Sequence, residues 1–520
     1  MCMFLPFWQG SGCQLATVFA VLLLCIFSSI IDPCLGVDTA TMATSTTKST
    51  AQNTFPHPSI RANRFPSVAT RIKLYMSNWY APPCEGDTNA FVRYALDHSN
   101  HTENNNNNNG KNNPKPSRWP TLKVERYNDH PLVNQTTRIM NVTSIIEPDM
   151  LFFMDQKTII NCGNYSYDEE WGKAIQDPYR ERIAFRLNMR MYCQDVEQLL
   201  IPAWNHLRLL ERSEEVPPPT LLQFGDNKQS HVFKDVNVPH IKKFRSAALD
   251  PQDLEDVTPD GCYSSTSSSG GNGTTGSDIR TALNSFHGNN SFQPIVWKLA
   301  TDRHFKKLKD VYRYDTPWSH KTNSAVFRGQ LTGSRDGYDK HLTDDENCHN
   351  MPRCQLVYNH ANSTLIHARL TSTRGRLPDV LNGVELIAGK VKIDTLLEHK
   401  GIIMIEGNDV ASGLKWALLS QSVVLMPPPK HTSWCMEELL EPWVHYIPLD
   451  ESATNVEERM QWVVDHDEEA QQISERATLW MEDMVFHPDA LQDDRLIQEE
   501  ILRRYEAHFV EAKDSEVIAA

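Results

Sequence analysis

The clearest patterning in the chain runs from Gly401 to Leu449. Gly401 to Ile405 is an apolar run without polar alternation, as expected of a strand buried on both faces of a parallel sheet. Val410, Leu414, Ala417 and Leu418 then recur at helical spacing behind Gly407 and the cap candidates Asn408 and Asp409. A second apolar run, Ser422 to Met426, is stopped by Pro427, Pro428 and Pro429, and a third strand is predicted before Leu449. Strand, helix and strand in this order predict a βαβ unit. In an open α/β sheet the ligand sits at the carboxyl ends of the strands, where a helix start offers N–H groups and a positive dipole end to an anion. The pattern therefore suits a nucleotide diphosphate.

The rest of the chain divides around this unit. Thr220 to Phe224 reads as a short buried strand after Pro217, Pro218 and Pro219, Arg180 to Met191 as a helix, and Lys298 to Val311 as one exposed helix. From Phe327 onward, strands and helices alternate through Leu449. Val456–Asp465, Glu468–Met484 and Leu491–Phe509 carry apolar stripes flanked by charge, with Val456, Met460, Ile473, Ala477, Leu496, Ile497, Ile501 and Tyr505 facing a core. No strict heptad persists, which argues against a coiled coil. Thr39 to about Ser67 is a Ser/Thr/Pro-rich stem, and Asn104 to Asn109 and Ser264 to Ser277 are low-complexity loops. The predicted organisation is a leader over 1–36, a stem over 37–67, an amino-terminal domain over 68–320 and a carboxyl-terminal domain with terminal helices over 321–520.

With 51 basic and 66 acidic residues the 520-residue chain carries a formal charge of −15, which argues against an extended surface for nucleic acid. No charged side chain occurs before Asp32, and Leu15 to Ile31 is dominated by apolar residues. That run predicts entry to the secretory pathway, as a type II membrane anchor in preference to a signal cleaved near Gly36 or Ala40. Asn-X-Ser/Thr acceptors at Asn100, Asn134, Asn141, Asn164, Asn272, Asn289 and Asn362 agree with a lumenal body in the Golgi or endoplasmic reticulum. Cys348 with Cys354 and Cys162 with Cys193 are plausible disulfides in such a compartment.

EGNDVASGLKWALL followed by SVVLMPPPKHTSWCMEELLEPWVHYIPL resembles the carboxyl-terminal half of glycosyltransferase family 90, which includes CAP10-like proteins, protein O-glucosyltransferases and bacterial lipopolysaccharide-modifying relatives. The chain departs from the animal members, which carry a phenylalanine and an arginine near Ser412 and Gly413. The resemblance implies an α/β protein of the GT-B type, two Rossmann-like domains facing a cleft, with carboxyl-terminal helices. It also implies an inverting transferase that moves a sugar, glucose or xylose, from a UDP-sugar to a hydroxyl of a protein or glycan acceptor. The alternative is a lumenal glycan-binding or scaffold protein that kept the fold and lost turnover.

Such a transfer needs a base for the acceptor hydroxyl and stabilisation of the leaving diphosphate. A metal-dependent transferase usually places an Asp-X-Asp after a buried strand; the literal match, Asp465-His466-Asp467, sits between charged helices and reads as a solvated junction. Metal-independent chemistry with no cofactor beyond the UDP-sugar is therefore expected. SAVFRGQLTGSRDGYDK resembles the family's FRG motif and its following arginine, which offers Arg335 as a diphosphate ligand and Arg328 as either a second ligand or a structural ion pair. Lys415, about one turn into a helix starting near Asp409, and the hydroxyl of Ser412 are further donor-side candidates. Asp409 either caps that helix or binds a sugar hydroxyl. Glu437, preferred over Glu438, resembles the acid that holds ribose hydroxyls in GT-B enzymes. QFGD followed by VPHIKKFR resembles the segment holding the catalytic aspartate and makes Asp226 the base, with Asp235 the alternative. Asp302, Arg303 and His304 could line either side of the site.

Overall fold

The computed structural model describes residues 65–86, 91–97, 121–126, 138–142, 150–153, 191–192, 194–215, 217–226, 238–247, 262, 293–333 and 338–511. Two sheets matter for the site. The first joins β1 (Met150–Phe153), β2 (Thr220–Gln223), β3 (Ile241–Lys242) and β4 (Ile295–Val296) in that spatial order. β1 is antiparallel to β2, and β2, β3 and β4 are parallel. The second is a five-stranded parallel sheet made of β5 (Thr322–Gln330), β6 (Ile366–Ser372), β7 (His399–Ile403), β8 (Val423–Met426) and β9 (Ile447–Pro448), ordered β6-β5-β7-β8-β9.

Every residue of β8 is buried, as its unbroken apolar run requires. β7 can lie between β5 and β8 because Gly401 has no side chain. A Cβ there would stand 2.8 Å from the Ala325 Cβ, 2.9 Å from Leu425 Cδ1 and 3.0 Å from Met460 Sδ. After β5 the chain adds β6 on one flank and then returns to add β7 on the other. The carboxyl ends of β5 and β7 therefore form a topological switch point, the place where doubly wound sheets receive ligands.

The helices around the two sheets are α1 (Thr301–His304), α2 (Asp344–Asn350), α3 (Pro352–Asn359), α4 (Leu414–Leu419), α5 (Val456–Asp465), α6 (Asp467–Met481) and α7 (Ala490–Glu506). α5 buries Val456, Met460 and Val463 as its apolar stripe predicts. α7 runs back to the first sheet. Its fully buried Tyr505 donates to the Pro219 carbonyl at 2.9 Å and accepts from the Leu221 N–H at 3.0 Å, which fixes β2. Burying Ile497, Ile501 and Tyr505 contributes roughly 1.5–3 kcal/mol for each side chain. One hydrophobic cluster runs from Leu221, Leu222 and Ile241 to Val326, Ile402 and Val424, so residues of both sheets share a core.

Several expected elements shift. β7 begins two residues early, at His399, and the following helix begins at Leu414 rather than near Asp409. Lys298 to Val311 is not one exposed helix: it breaks into α1 and a second helix, Leu308–Tyr314, and buries His304, Leu308 and Val311. The left-handed Ala300 (φ 58) sets where α1 starts. α7 buries Ile497 but leaves Leu496 45% exposed, so Leu496 lies off the core face. Cys348–Cys354 is a disulfide as expected, and Cys84–Cys262 is a second one that spacing did not suggest. Cys435 is buried and free, whereas Cys162, Cys193 and the predicted helix up to residue 190 lie outside the described residues. So does Leu15 to Ile31. Among the described residues no helix is long and apolar enough to cross a membrane.

Candidate active site

Three strand ends from the two sheets meet around one lysine. Asp226 follows β2 through Phe224 and the left-handed Gly225 (φ 88), a conformation that turns the chain sharply at the strand's carboxyl end. Lys243 is the first residue after β3, and its side chain is 2% exposed. Its Nζ lies 2.6 Å from Asp226 Oδ1 and 2.5 Å from Asp409 Oδ2, the latter from the loop that follows β7. Arg303 on α1 brings Nη1 to 3.9 Å from the same Asp226 oxygen. α1 is itself held by Asp195, which accepts from the Thr301 N–H at 3.0 Å and from the Thr301 hydroxyl.

Burial alone would raise the Asp226 carboxyl above its usual range. Lys243, by charge and hydrogen bond, and then Arg303 outweigh it and leave the group below that range. For Lys243, burial acts to lower the value but Asp409, Tyr192 and Asp226 together push it up, so the ammonium stays charged. The Tyr192 phenol, stacked on Phe224 at 4.8 Å, is pushed up by burial. Asp226 is therefore an ionised acceptor at neutral pH, half-exposed at the edge of the joint.

Arg353, from α3, ties the switch point together. It donates to the Gln330 carbonyl at 2.9 Å and Thr332 Oγ1 at 2.6 Å beyond β5, and to the Ile405 carbonyl at 2.6 Å beyond β7. Burial lowers its guanidinium to about 10, with Asp409 acting the other way. The two loops approach too closely for side chains. A Cβ on Gly333 would stand 2.9 Å from the Gly407 carbonyl oxygen, and one on Gly407 2.5 Å from Thr332 Oγ1. Asn408 Oδ1 accepts from the Gly333 N–H at 3.0 Å, so Asn408 pins the loops and does not cap a helix. Glu406 accepts from the backbone of Lys430 and His431 and from His431 Nδ1 at 2.7 Å.

The other expected residues are placed as follows. Ser412 is partly exposed in the turn before α4. α4 has only six residues, so its dipole is small and charge compensation for a phosphate falls to side chains. Lys415 lies in the first turn of α4, fully buried and paired with Glu437, which also accepts from the Ser433 N–H at 2.6 Å. Glu438 is taken up by Arg245 through two contacts, at 3.0 and 2.5 Å. Arg328 forms no salt bridge with a carboxylate among the described residues; it donates to the Phe327 and His367 carbonyls at 2.7 and 2.6 Å. Asp302 pairs with Lys306 on the surface, and Asp467 accepts from Trp318 Nε1 at 3.1 Å and pairs with Lys400. Arg335 and Asp235 lie outside the described residues. Lys243, Arg353 and Glu406 were not singled out by the sequence reading, although VPHIKKFR contains Lys243.

Buried and half-buried histidines set an acid limit on stability. Burial lowers His240 to about 4, His399 to about 4 and His304 well below its ordinary value. Each would take up a proton near pH 6.5 once unfolded but not while folded, so stability falls as pH drops below about 6.5. Asp195, raised by burial to about 6, acts in the opposite sense over the same window. Three groups against one predict a melting temperature that declines from pH 7 to 5. A level or rising melting curve over that range would contradict this.

Residues 297–492 match the family model described as Glycosyl transferase family 90. The chain is similar to "O-glucosyltransferase LpsA" of Dichelobacter nodosus, 28% identical over 195 residues that cover 37% of this chain and 52% of the relative. It is 39% identical to "Protein O-glucosyltransferase 2" of Danio rerio over 80 residues, 15% of each chain. With "Protein O-glucosyltransferase 1" of Homo sapiens it shares 26% identity over 179 residues, 32% of this chain and 41% of the relative. The chain thus spans about half, or less, of the length of these relatives.

Proposed function

We propose that the chain, whose residues 297–492 match the glycosyl transferase family 90 model, is an inverting glycosyltransferase that takes a sugar from a UDP-sugar, glucose or xylose, and transfers it to a hydroxyl of a protein or glycan. The observation that carries this reading is Asp226, ionised and half-exposed at the end of β2, coupled through Lys243 to the loop after β7. Its carboxylate takes the proton of the acceptor hydroxyl as that oxygen attacks the anomeric carbon. The bond from that carbon to the phosphate oxygen breaks from the opposite side, and the electron pair leaves with UDP.

The leaving diphosphate needs cations that tighten on it as charge develops. Arg335 is the candidate for direct contact, and the Ser412 hydroxyl is a second one. Lys415 is neutralised by Glu437, so it orders the loop through that pair and adds little free charge. Asp409 engages Lys243 and keeps the donor loop in register with the base. Glu437 and Arg328 act from within the fold, holding the walls of the site. In this reading the arrangement is GT-B, with domains over 68–320 and 321–520 facing one another, and transfer is metal-independent. The body resides in the lumen of the endoplasmic reticulum or Golgi, attached through Leu15 to Ile31; the disulfides Cys84–Cys262 and Cys348–Cys354 support an oxidising compartment.

The test is release of UDP from a panel of UDP-sugars by the purified chain, with and without chelator and with peptide and oligosaccharide acceptors. Release that survives chelation is expected. UDP binding without release from any donor would replace the enzyme with the glycan-binding scaffold, and release abolished by chelator would overturn metal independence.

A further inference from the structure

His304 is 4% exposed, yet neither ring nitrogen has a hydrogen-bond partner among the described residues. Other buried histidines differ: His431 Nδ1 meets Glu406 at 2.7 Å, and His508 Nε2 meets the Trp79 carbonyl at 2.9 Å. Leaving a buried polar group unpaired costs about 1–3 kcal/mol, which a phenylalanine at the same place would avoid. Burial, supported by Lys415, Lys243 and Arg303, keeps the imidazole neutral. A neutral ring has one lone pair, which the ammonium groups attract, and one N–H, which needs an acceptor. Lys415 is paired with Glu437 and Lys243 with Asp226 and Asp409, but Arg303, 3.9 Å from Asp226 and 48% exposed by its side chain, keeps donors for an anion that the N–H can share.

The position narrows the anion. Arg303, the preceding residue, reaches Asp226; Lys243 binds Asp226 and Asp409; Lys415 follows the Ser412 turn. The ring thus lies among groups that belong to the base on one side and to the donor loop on the other. An anion shared by those two sides during transfer is the leaving group. We propose that His304 donates a ring N–H to an oxygen of the donor's diphosphate and so discriminates nucleoside diphosphates from uncharged uridine. The proposal rests on the UDP-sugar reading above.

Calorimetry on the purified wild-type chain, His304→Phe and His304→Gln, each with UDP and with uridine, tests it alongside melting temperatures. His304→Phe is expected to weaken UDP about ten- to hundredfold, the range for a hydrogen bond to a charged group, with uridine unchanged. His304→Gln, which keeps an N–H donor, should recover part of the loss. The melting temperature of His304→Phe should equal or exceed that of the wild type, because an apolar ring relieves the unpaired nitrogens. UDP affinity within twofold of wild type in both variants would overturn the proposal while leaving the donor reading intact. A lower melting temperature with UDP and uridine weakened alike would also overturn it, as a purely structural role. A wild-type chain that binds no UDP would remove the donor reading, and the proposal with it.

Discussion

Asp226→Asn is expected to bind UDP about as tightly as the unaltered chain while its transfer rate falls about 100-fold or more. The amide has the shape of the carboxylate, and its Oδ1 can still accept from Lys243, which lies 2.6 Å away in the native arrangement. What it cannot do is take a proton from the acceptor oxygen. Because Lys243 and Arg303 hold the Asp226 carboxyl below its usual range, the native base is ionised throughout neutral pH. The acid limb of kcat/KM should accordingly lie below the ordinary range of an aspartate. Calorimetry with UDP and a transfer assay on the same preparation separate binding from chemistry. Near wild-type turnover in Asp226→Asn, with turnover abolished in Asp235→Asn, would move the base to Asp235.

The strands at Thr220–Gln223 and His399–Ile403 could be read from the chain because burial on both faces leaves an apolar run, as in Val423–Met426, whereas the two-residue β3 that carries Lys243 to the site could not. Nor could the start of α4. Asn408 and Asp409 have the side chains of helix caps, but each is claimed by a partner distant in sequence: Asn408 by the Gly333 N–H and Asp409 by Lys243. Local propensity proposes a cap, and tertiary contacts override it. The same limit applies to charge. Glu437 and Glu438 look alike as ligand candidates in MEELLEPW, yet one is neutralised by Lys415 and the other by Arg245, 193 residues away. Pairs closed over such distances leave no local pattern.

Cysteine pairing shows the contrast directly. Cys348–Cys354, separated by 6 residues, was legible, whereas Cys84–Cys262, separated by 178, was not. Lys243 is the most consequential omission. In Ile241-Lys242-Lys243-Phe244 nothing local says which lysine meets carboxylates, because both are buried and the strand ends between them. Only the position of Gly225 and the loop after β7 decides it.

Lys243→Met should destabilise the fold by about 3–5 kcal/mol, the cost of removing one partner from a buried ion pair. Asp409, 7% exposed by its side chain, would be left as an uncompensated carboxylate, while Asp226, at 31%, can turn to water. Neutralising Asp409 as well should therefore restore most of the loss: Lys243→Met with Asp409→Asn is expected to be clearly more stable than Lys243→Met alone. The second consequence is chemical. Burial pushes the Asp226 carboxyl up and Lys243 is the largest influence holding it down, so removing the lysine raises its pKa. The carboxylate must be free to act as base, and activity is lost as pH falls through that pKa. The acid limb of residual transfer should then move to higher pH in Lys243→Met and stay near its native place in Lys243→Arg, which keeps the charge. Urea unfolding of the single and double variants measures the first effect, and a pH–rate profile the second. Wild-type stability in Lys243→Met, or an acid limb that does not move, would mean that the lysine does not couple the base to the donor loop.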